Sequence, residues 1–244
     1  MTYQTLTDLN GVTAVVTGAN GDIAQATMQR LAKHGAKIIA LVYRNPEQTL
    51  NNLPGTGHEV LLCNVTDTAS IQQAVSQIHS CDILINNAGK TQYIAHGNLS
   101  TLTDEIFDDI LTANLRSAFA VTREFLPLLN ASQDAVIVNI GSTAGVRKGG
   151  SNLAYAAAKA GVDNLTRNLS IALAPIRVIS ICPGAVDTKF LAGRPKEFLE
   201  SVAEHTPLGR MACADDVAAA IEAYTMTLRF VTGENIVVDG GRSI

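Results

Sequence analysis

Short apolar runs and longer stretches of helical periodicity alternate along this chain from about residue 12 to its end. Seven runs read as strands, at residues 12–17, 37–43, 59–63, 82–85, 136–140, 177–181 and 235–238. Most are nearly continuous in Val, Ile and Leu rather than alternating, the pattern of parallel strands covered on both faces. Between them, helices are predicted to begin near Asp22, Asp67, Asp104, Asn152 and Asp215, several with an acid or amide placed to satisfy first-turn N–H groups. Strand–helix alternation throughout predicts an α/β fold, a doubly wound sheet flanked by helices. No Pro/Gly/Ser-rich linker, low-complexity tract or repeat interrupts it, so residues 1–244 are expected to form one domain. Two stripes at helical spacing, Leu115, Phe119, Thr122, Leu126, Leu129 and Val162, Leu165, Leu169, Ala172, fit either core packing or a homo-oligomer interface.

Composition narrows the partners. With 47% apolar residues in 244, the chain can bury a sizeable core. A net charge of −4 with scattered basic residues gives no footprint for nucleic acid or a membrane surface. No apolar run reaches a membrane span, and the opening MTYQTLTDLN has no signal-peptide character, so a cytoplasmic location is expected. Cys63, Cys81, Cys182 and Cys213 have neither metal nor redox spacing. They are expected to be small buried apolar residues, and no metal site is predicted.

Candidate chemistry concentrates in Ser142, Tyr155 and Lys159. Tyr155 and Lys159 stand four residues apart in a helical stretch, which puts a phenol and an ammonium on one face. A phenol ionises near pH 10, so it is a poor base at neutral pH. A neighbouring cation favours phenolate, and lowering the pKa by two to three units needs about 3–4 kcal/mol. The Ser142 hydroxyl can hold a carbonyl oxygen for that phenol to protonate, which is acid–base chemistry at a C–O bond. Alone, a Tyr-x3-Lys pair is weak, because many solvated helix faces carry one.

Loops at the carboxyl ends of four strands strengthen the reading. TGANGDIA (17–24) follows the first strand and lets backbone N–H groups approach a pyrophosphate, although GxGxxG is absent. NNAG (86–89) follows the fourth, Ser142 the fifth and PGAVDT (183–188) the sixth. In this combination and order the chain resembles the short-chain dehydrogenase/reductase family, of the common single-domain type, from about residue 10 to 241. TGANGDIA looks like its TGxxxGxG turn, NNAG matches outright, and Asn114 in ANLRSAF looks like its catalytic asparagine. VTGENIVVDGG (231–241) resembles its C-terminal signature.

The resemblance implies a Rossmann-type, seven-stranded, mostly parallel sheet and a nicotinamide-dependent oxidoreductase. It casts Tyr155 as proton donor or acceptor, Lys159 as the residue lowering its pKa and binding the nicotinamide ribose, Ser142 as carbonyl orienter, and Asn114 as holder of a water leading from Lys159 to solvent. Gly18, Asn20, Asp22, Ile23, Arg44, Asn64, Val65, Asn87, Ala88 and Gly89 would line the cofactor groove. Pro183, Gly184, Val186 and Thr188 would position the nicotinamide. A homotetramer is implied, with a dimer as the fallback.

Departures matter too. Asp22 stands where the family has a glycine and would repel pyrophosphate, unless it caps the helix instead. Ala24 replaces the next glycine, and Asn64 the usual adenine-contacting Asp, with its amide oxygen able to accept from the adenine amino group. No acid occupies 42–44, where NAD users offer one, and Arg44 can meet a 2′-phosphate, so NADP(H) is expected over NAD(H).

Substrate contacts are expected from 91–96, 143–149 and a lid at 189–207, with Arg147 and Lys148 near the mouth. His96 reads as a loop residue. A small ketone or secondary alcohol is the expected substrate. The positions aligned with carrier-protein-docking arginines in 3-oxoacyl reductases hold Val136 and Ala174, which disfavours that substrate. An NAD-dependent dehydrogenase, a 3-oxoacyl reductase and a non-catalytic dinucleotide-binding regulator are the alternatives.

Overall fold

Alternate residues of the strands enter two different cores, which is why the strands read as unbroken apolar runs. The computed structural model describes residues 6–147, 149–191 and 196–244. Its strands are β1 (Thr13–Thr17), β2 (Lys37–Val42), β3 (Glu59–Leu62), β4 (Ile83–Asn86), β5 (Val136–Ile140), β6 (Arg177–Pro183), β7 (Val186–Asp187), β8 (Ala212–Cys213) and β9 (Asn235–Val238). Seven of them form one sheet in the order β3-β2-β1-β4-β5-β6-β9, with every pairing parallel. β7 and β8 form a separate two-stranded ladder. Ala14 and Val16 of β1 face a core built with Met28, Leu31, Val217 and Ile221. Val15, between them, faces the opposite core with Ile71, Val121, Phe125 and Leu129.

The helices are α1 (Asp22–Lys33), α2 (Thr68–Val75), α3 (Asp104–Leu111), α4 (Ser117–Ala131), α5 (Thr143–Val146), α6 (Leu153–Ala172), α7 (Lys196–Glu204) and α8 (Ala214–Met226). Side-chain caps start several of them: Asp67 accepts from Ala69 N at 3.0 Å, and Asn152 from Tyr155 N at 2.8 Å. A π-helical turn, Thr112–Arg116, joins α3 to α4. Among the described residues no helix is long and apolar enough to cross a membrane.

One expectation is corrected and an open one is divided. Cys213 is exposed, unlike the other three cysteines, because it sits at the N-cap of α8 with its N–H on Asp216 at 2.8 Å. The stripes divide between core and surface: Thr122, Leu129 and Val162 are buried, while Phe119 is 45% exposed. Lys148 and positions 192–195 of the expected lid lie outside the described residues.

Candidate active site

β1 pairs with both β2 and β4, so the winding direction reverses there, and a crevice opens outside the carboxyl ends of β1 and β4. The turn after β1 and the NNAG loop after β4 meet across it. Gly18 is left-handed at φ 61°, and a Cβ on it would lie 2.8 Å from Ala88 Cα. Asn87 Nδ2 donates to the carbonyls of Thr17 and Gly18, both at 3.1 Å. The Thr17 hydroxyl in turn accepts from the N–H groups of Asn87 and Ala88, both at 3.0 Å. These bonds hold the two loops as one wall.

The residues present fit a dinucleotide. Gly21 is the N-cap of α1 and offers no side-chain cap, which leaves first-turn N–H groups for an anion. Asn20 ties the turn to the end of β2 by donating to Arg44 O at 2.7 Å, and it accepts from the Thr49 hydroxyl at 2.7 Å. The Arg44 side chain is exposed and enters none of the described hydrogen bonds or ion pairs. Ile23 packs on the first core, and Val65 lines a narrow crevice with Thr17, Ala88 and Ser117. Asn64 departs from expectation: its Oδ1 already accepts from Thr66 N at 3.1 Å and Thr66 Oγ1 at 2.8 Å. Its unengaged amide N–H groups, rather than its oxygen, are therefore what it offers.

Asp22 also differs from its expected capping role. Its carboxylate reaches across to accept from Lys189 N at 2.7 Å, tying the start of the lid segment to the turn. Pro183 ends β6 and Val186 is buried in β7, and the Thr188 hydroxyl donates to Val186 O at 3.2 Å. A Cβ on Gly184 would lie 2.7 Å from Asp239 Cβ, so the C-terminal signature closes on this loop. Phe190, a residue the sequence did not single out, lies over Tyr155 with ring centroids 6.1 Å apart. Arg147 is exposed, and so is His96 on the loop after β4.

Ser142, Tyr155, Lys159 and Asn114 converge between β5, α6 and the π turn. Ser142 caps α5, accepting from Ala144 N at 3.1 Å, and hydrogen-bonds the Tyr155 phenol. Lys159 is 5% exposed; its Nζ donates to Ile140 O at 2.7 Å and lies 5.6 Å from the Tyr155 ring centroid. Asn114 Nδ2 donates to Lys90 O at 2.8 Å and to Ile110 O at 2.9 Å. Its Oδ1 is buried with no partner, and a Cβ at Gly89 would stand 2.5 Å from it and 3.9 Å from Lys159 Nζ. A buried acceptor left bare costs free energy unless a small polar group meets it.

The electrostatics differ from the simple expectation for Tyr155. Burial pushes its phenol up to about 12, against which the Ser142 hydrogen bond acts. Lys159, whose ammonium donates to the Ile140 carbonyl, is not among the groups that lower it. Burial likewise pushes Lys159 down to about 8, opposed by the carboxylate of Asp163. Asp163 lies one further turn along α6 and is 2% exposed, a position the sequence reading passed over.

Known proteins are similar to this chain over nearly its whole length. A family model described as Enoyl-(Acyl carrier protein) reductase matches residues 18–243. Dehydrogenase/reductase SDR family member 6 of Rattus norvegicus is 34% identical over 97% of this chain and 99% of its own. The 3-oxoacyl-(acyl-carrier-protein) reductase FabG of Escherichia coli K12 is 31% identical over 96% of this chain and 98% of its own. Among solved structures, levodione reductase superposes with a TM-score of 0.87 at 26% identity, covering 96% of this chain and 98% of that one. With matches that run nearly end to end and a sheet wound as theirs, the chain belongs to the short-chain dehydrogenase/reductase family and is an NAD(P)-dependent oxidoreductase.

Proposed function

We propose that this protein is an NADP(H)-preferring carbonyl reductase or alcohol dehydrogenase acting on a small ketone or secondary alcohol, with Tyr155 as general acid–base. The observation that carries this reading is the convergence of Tyr155, Ser142, buried Lys159 and the unpartnered Asn114 oxygen beside the dinucleotide crevice. A bound nicotinamide supplies the hydride exchange with the substrate carbon; the chain's own residues manage the oxygen and its proton. Ser142 orients the substrate oxygen, and Tyr155 gives it a proton on reduction or takes one on oxidation. Lys159 holds the nicotinamide ribose, and its charge must come to bear on the phenol as the site fills, since burial alone favours the neutral phenol. Asn114 Oδ1 holds a water that passes protons from Lys159 toward solvent.

Phe190 forms an apolar cover over Tyr155, in a single domain carrying both sites. The protein works in the cytoplasm as a homotetramer, joined in part through exposed Phe119 of α4. A second reading, reduction of 3-oxoacyl thioesters, is favoured by the named activity of the FabG relative. Val136 does not weigh against it, because it is buried in β5 and cannot face a carrier protein; Ala174 is exposed but neutral.

Oxidation and reduction of a panel of ketones, alcohols and 3-oxoacyl thioesters with both cofactors tests the reading. Tyr155→Phe should keep dinucleotide binding and lose at least about 10²-fold in kcat. Near-normal turnover in that variant removes the mechanism.

A further inference from the structure

Tyr155, Lys159 and Asp163 repeat every four residues and so lie along one face of α6. The third member is a carboxylate in the interior, 2% exposed. Its Oδ1 accepts from Ser180 Oγ at 2.9 Å and Cys182 Sγ at 3.4 Å, both on β6. Its Oδ2 is buried without a partner among the described residues. Two glycines make its room. A Cβ on Gly141 would lie 2.8 Å from Oδ1, and one on Gly145 would lie 2.7 Å from Oδ2. These glycines bracket Ser142, and Ile140, just before them, accepts from Lys159. Lys159 therefore holds the 140–145 stretch by its first carbonyl, and the Asp163 carboxylate lies close under the two glycines of that stretch.

We propose that Asp163 is a positioning residue for the acid–base pair, its buried carboxylate keeping Lys159 protonated and the Ser142 turn seated. This rests on the reading of Tyr155 and Lys159 given above. A buried ammonium without a counter-charge gives up its proton, because the low-dielectric interior disfavours the charged form. Burial acts in that direction on Lys159, and Asp163 acts against it. The reverse holds for Asp163, which burial pushes up while Ser180, Cys182, Lys159 and Arg167 hold it down. Other groups facing the pair are Tyr155 on α6, Ser142 on its turn and Asn114 on the π turn. The Cys182 thiol is pushed up to about 12 by burial and stays neutral. Among the described residues, Asp163 is thus the one carboxylate acting on Lys159.

Asp163→Asn keeps the shape and removes the charge. In the cofactor-free full chain, the Lys159 side chain is titrated by NMR with ¹³Cε-lysine labelling, its resonance assigned by its loss in Lys159→Arg. The midpoint should fall by about one unit in Asp163→Asn. In alcohol oxidation, the rise of kcat/KM with pH should move the other way, to higher pH, because the phenol loses its cation. Loosened packing would not move two midpoints in opposite directions. A folded Asp163→Asn whose Lys159 midpoint matches wild type overturns the proposal. If that variant does not fold, Asp163→Ser removes the charge with less bulk and is judged by the same two midpoints. The lysine titration reads no turnover, so its failure is distinct from failure of the Tyr155 reading, which Tyr155→Phe reports.

Discussion

Gly89→Ala should damage the protein through one contact. Gly89 is not among the positive-φ residues, so an alanine there suits the backbone. The new methyl would lie 2.5 Å from Asn114 Oδ1 and 3.4 Å from its Cγ. Normal contact requires the amide to withdraw by about 1 Å. Asn114 cannot withdraw freely, because Nδ2 is fastened to Lys90 O and Ile110 O at 2.8 and 2.9 Å. Straining both bonds costs about 1–3 kcal/mol at about 0.5–1.5 each. A stiffer unfolded chain returns about 0.4–1 kcal/mol. The net destabilisation is about 1–2 kcal/mol, read by urea denaturation. Turnover should fall further, about 10²-fold, as a misplacement of about 1 Å near the reacting groups does. The decisive measurement is the cycle with Asn114→Ala. With the amide gone, the methyl meets nothing nearer than Lys159 Nζ at 3.9 Å, so the Gly89→Ala stability penalty should vanish and a coupling of about 1–2 kcal/mol should appear. If the two stability penalties simply add, the contact is not the cause and the argument fails.

Other outcomes follow from the same geometry. Arg44→Ala should erode an NADPH preference by about 10- to 150-fold, the worth of a hydrogen bond to a charged group, and Val42→Asp should reverse it; kcat/KM with both cofactors checks this. A wild type already favouring NADH would make Arg44 an ordinary surface residue. Lys159, lowered from 10.5 to about 8, binds fewer protons folded than unfolded between those pH values, so its destabilising effect is full below pH 8 and fades as pH rises to 10.5. Wild-type stability relative to Lys159→Met should therefore climb by about 3 kcal/mol from pH 7 to 10.5, and a flat difference would refute the burial argument. Buried thiols such as Cys63 titrate alike in both proteins and cancel. Phe125→Ala, in a fully buried site under β4 and β5, should cost about 3–5 kcal/mol by urea denaturation, and less than about 1 would mean the core collapses around the gap.

The sheet was legible because burial on both faces leaves a plain mark, an unbroken aliphatic run such as AVV in β1 or VIV in β5. Caps at Asp67 and Asn152 were legible for the same local reason. β7 and β8, two residues each, are too short to carry any period. The π turn was invisible because Thr112–Arg116 reads as ordinary helix, and only the path from α3 to α4 widens it around Asn114. Tertiary contacts decided the other misses. Asp22 does start α1, but it does not cap it, because its carboxylate accepts from Lys189 N, 167 residues away. Asp163 looks like a solvated helix acid until Gly141 and Gly145 fold over it.

The strand ends that present NNAG and Ser142 are joined inside the sheet as well as by their loops. Asn86 and Asn139 sit opposite each other in β4 and β5, and Asn86 Nδ2 donates to Asn139 Oδ1 at 2.9 Å and to Thr122 Oγ1 of α4 at 3.1 Å. Asn139 Nδ2 continues to Thr166 Oγ1 of α6 at 2.9 Å. An all-aliphatic interior would tolerate β4 sliding along β5, since one apolar contact replaces another. Here a slip strands amides in hydrocarbon, at about 1–3 kcal/mol for each group left bare. The chain of amides and hydroxyls thus fixes the register of β4 on β5 by making every shifted pairing cost free energy.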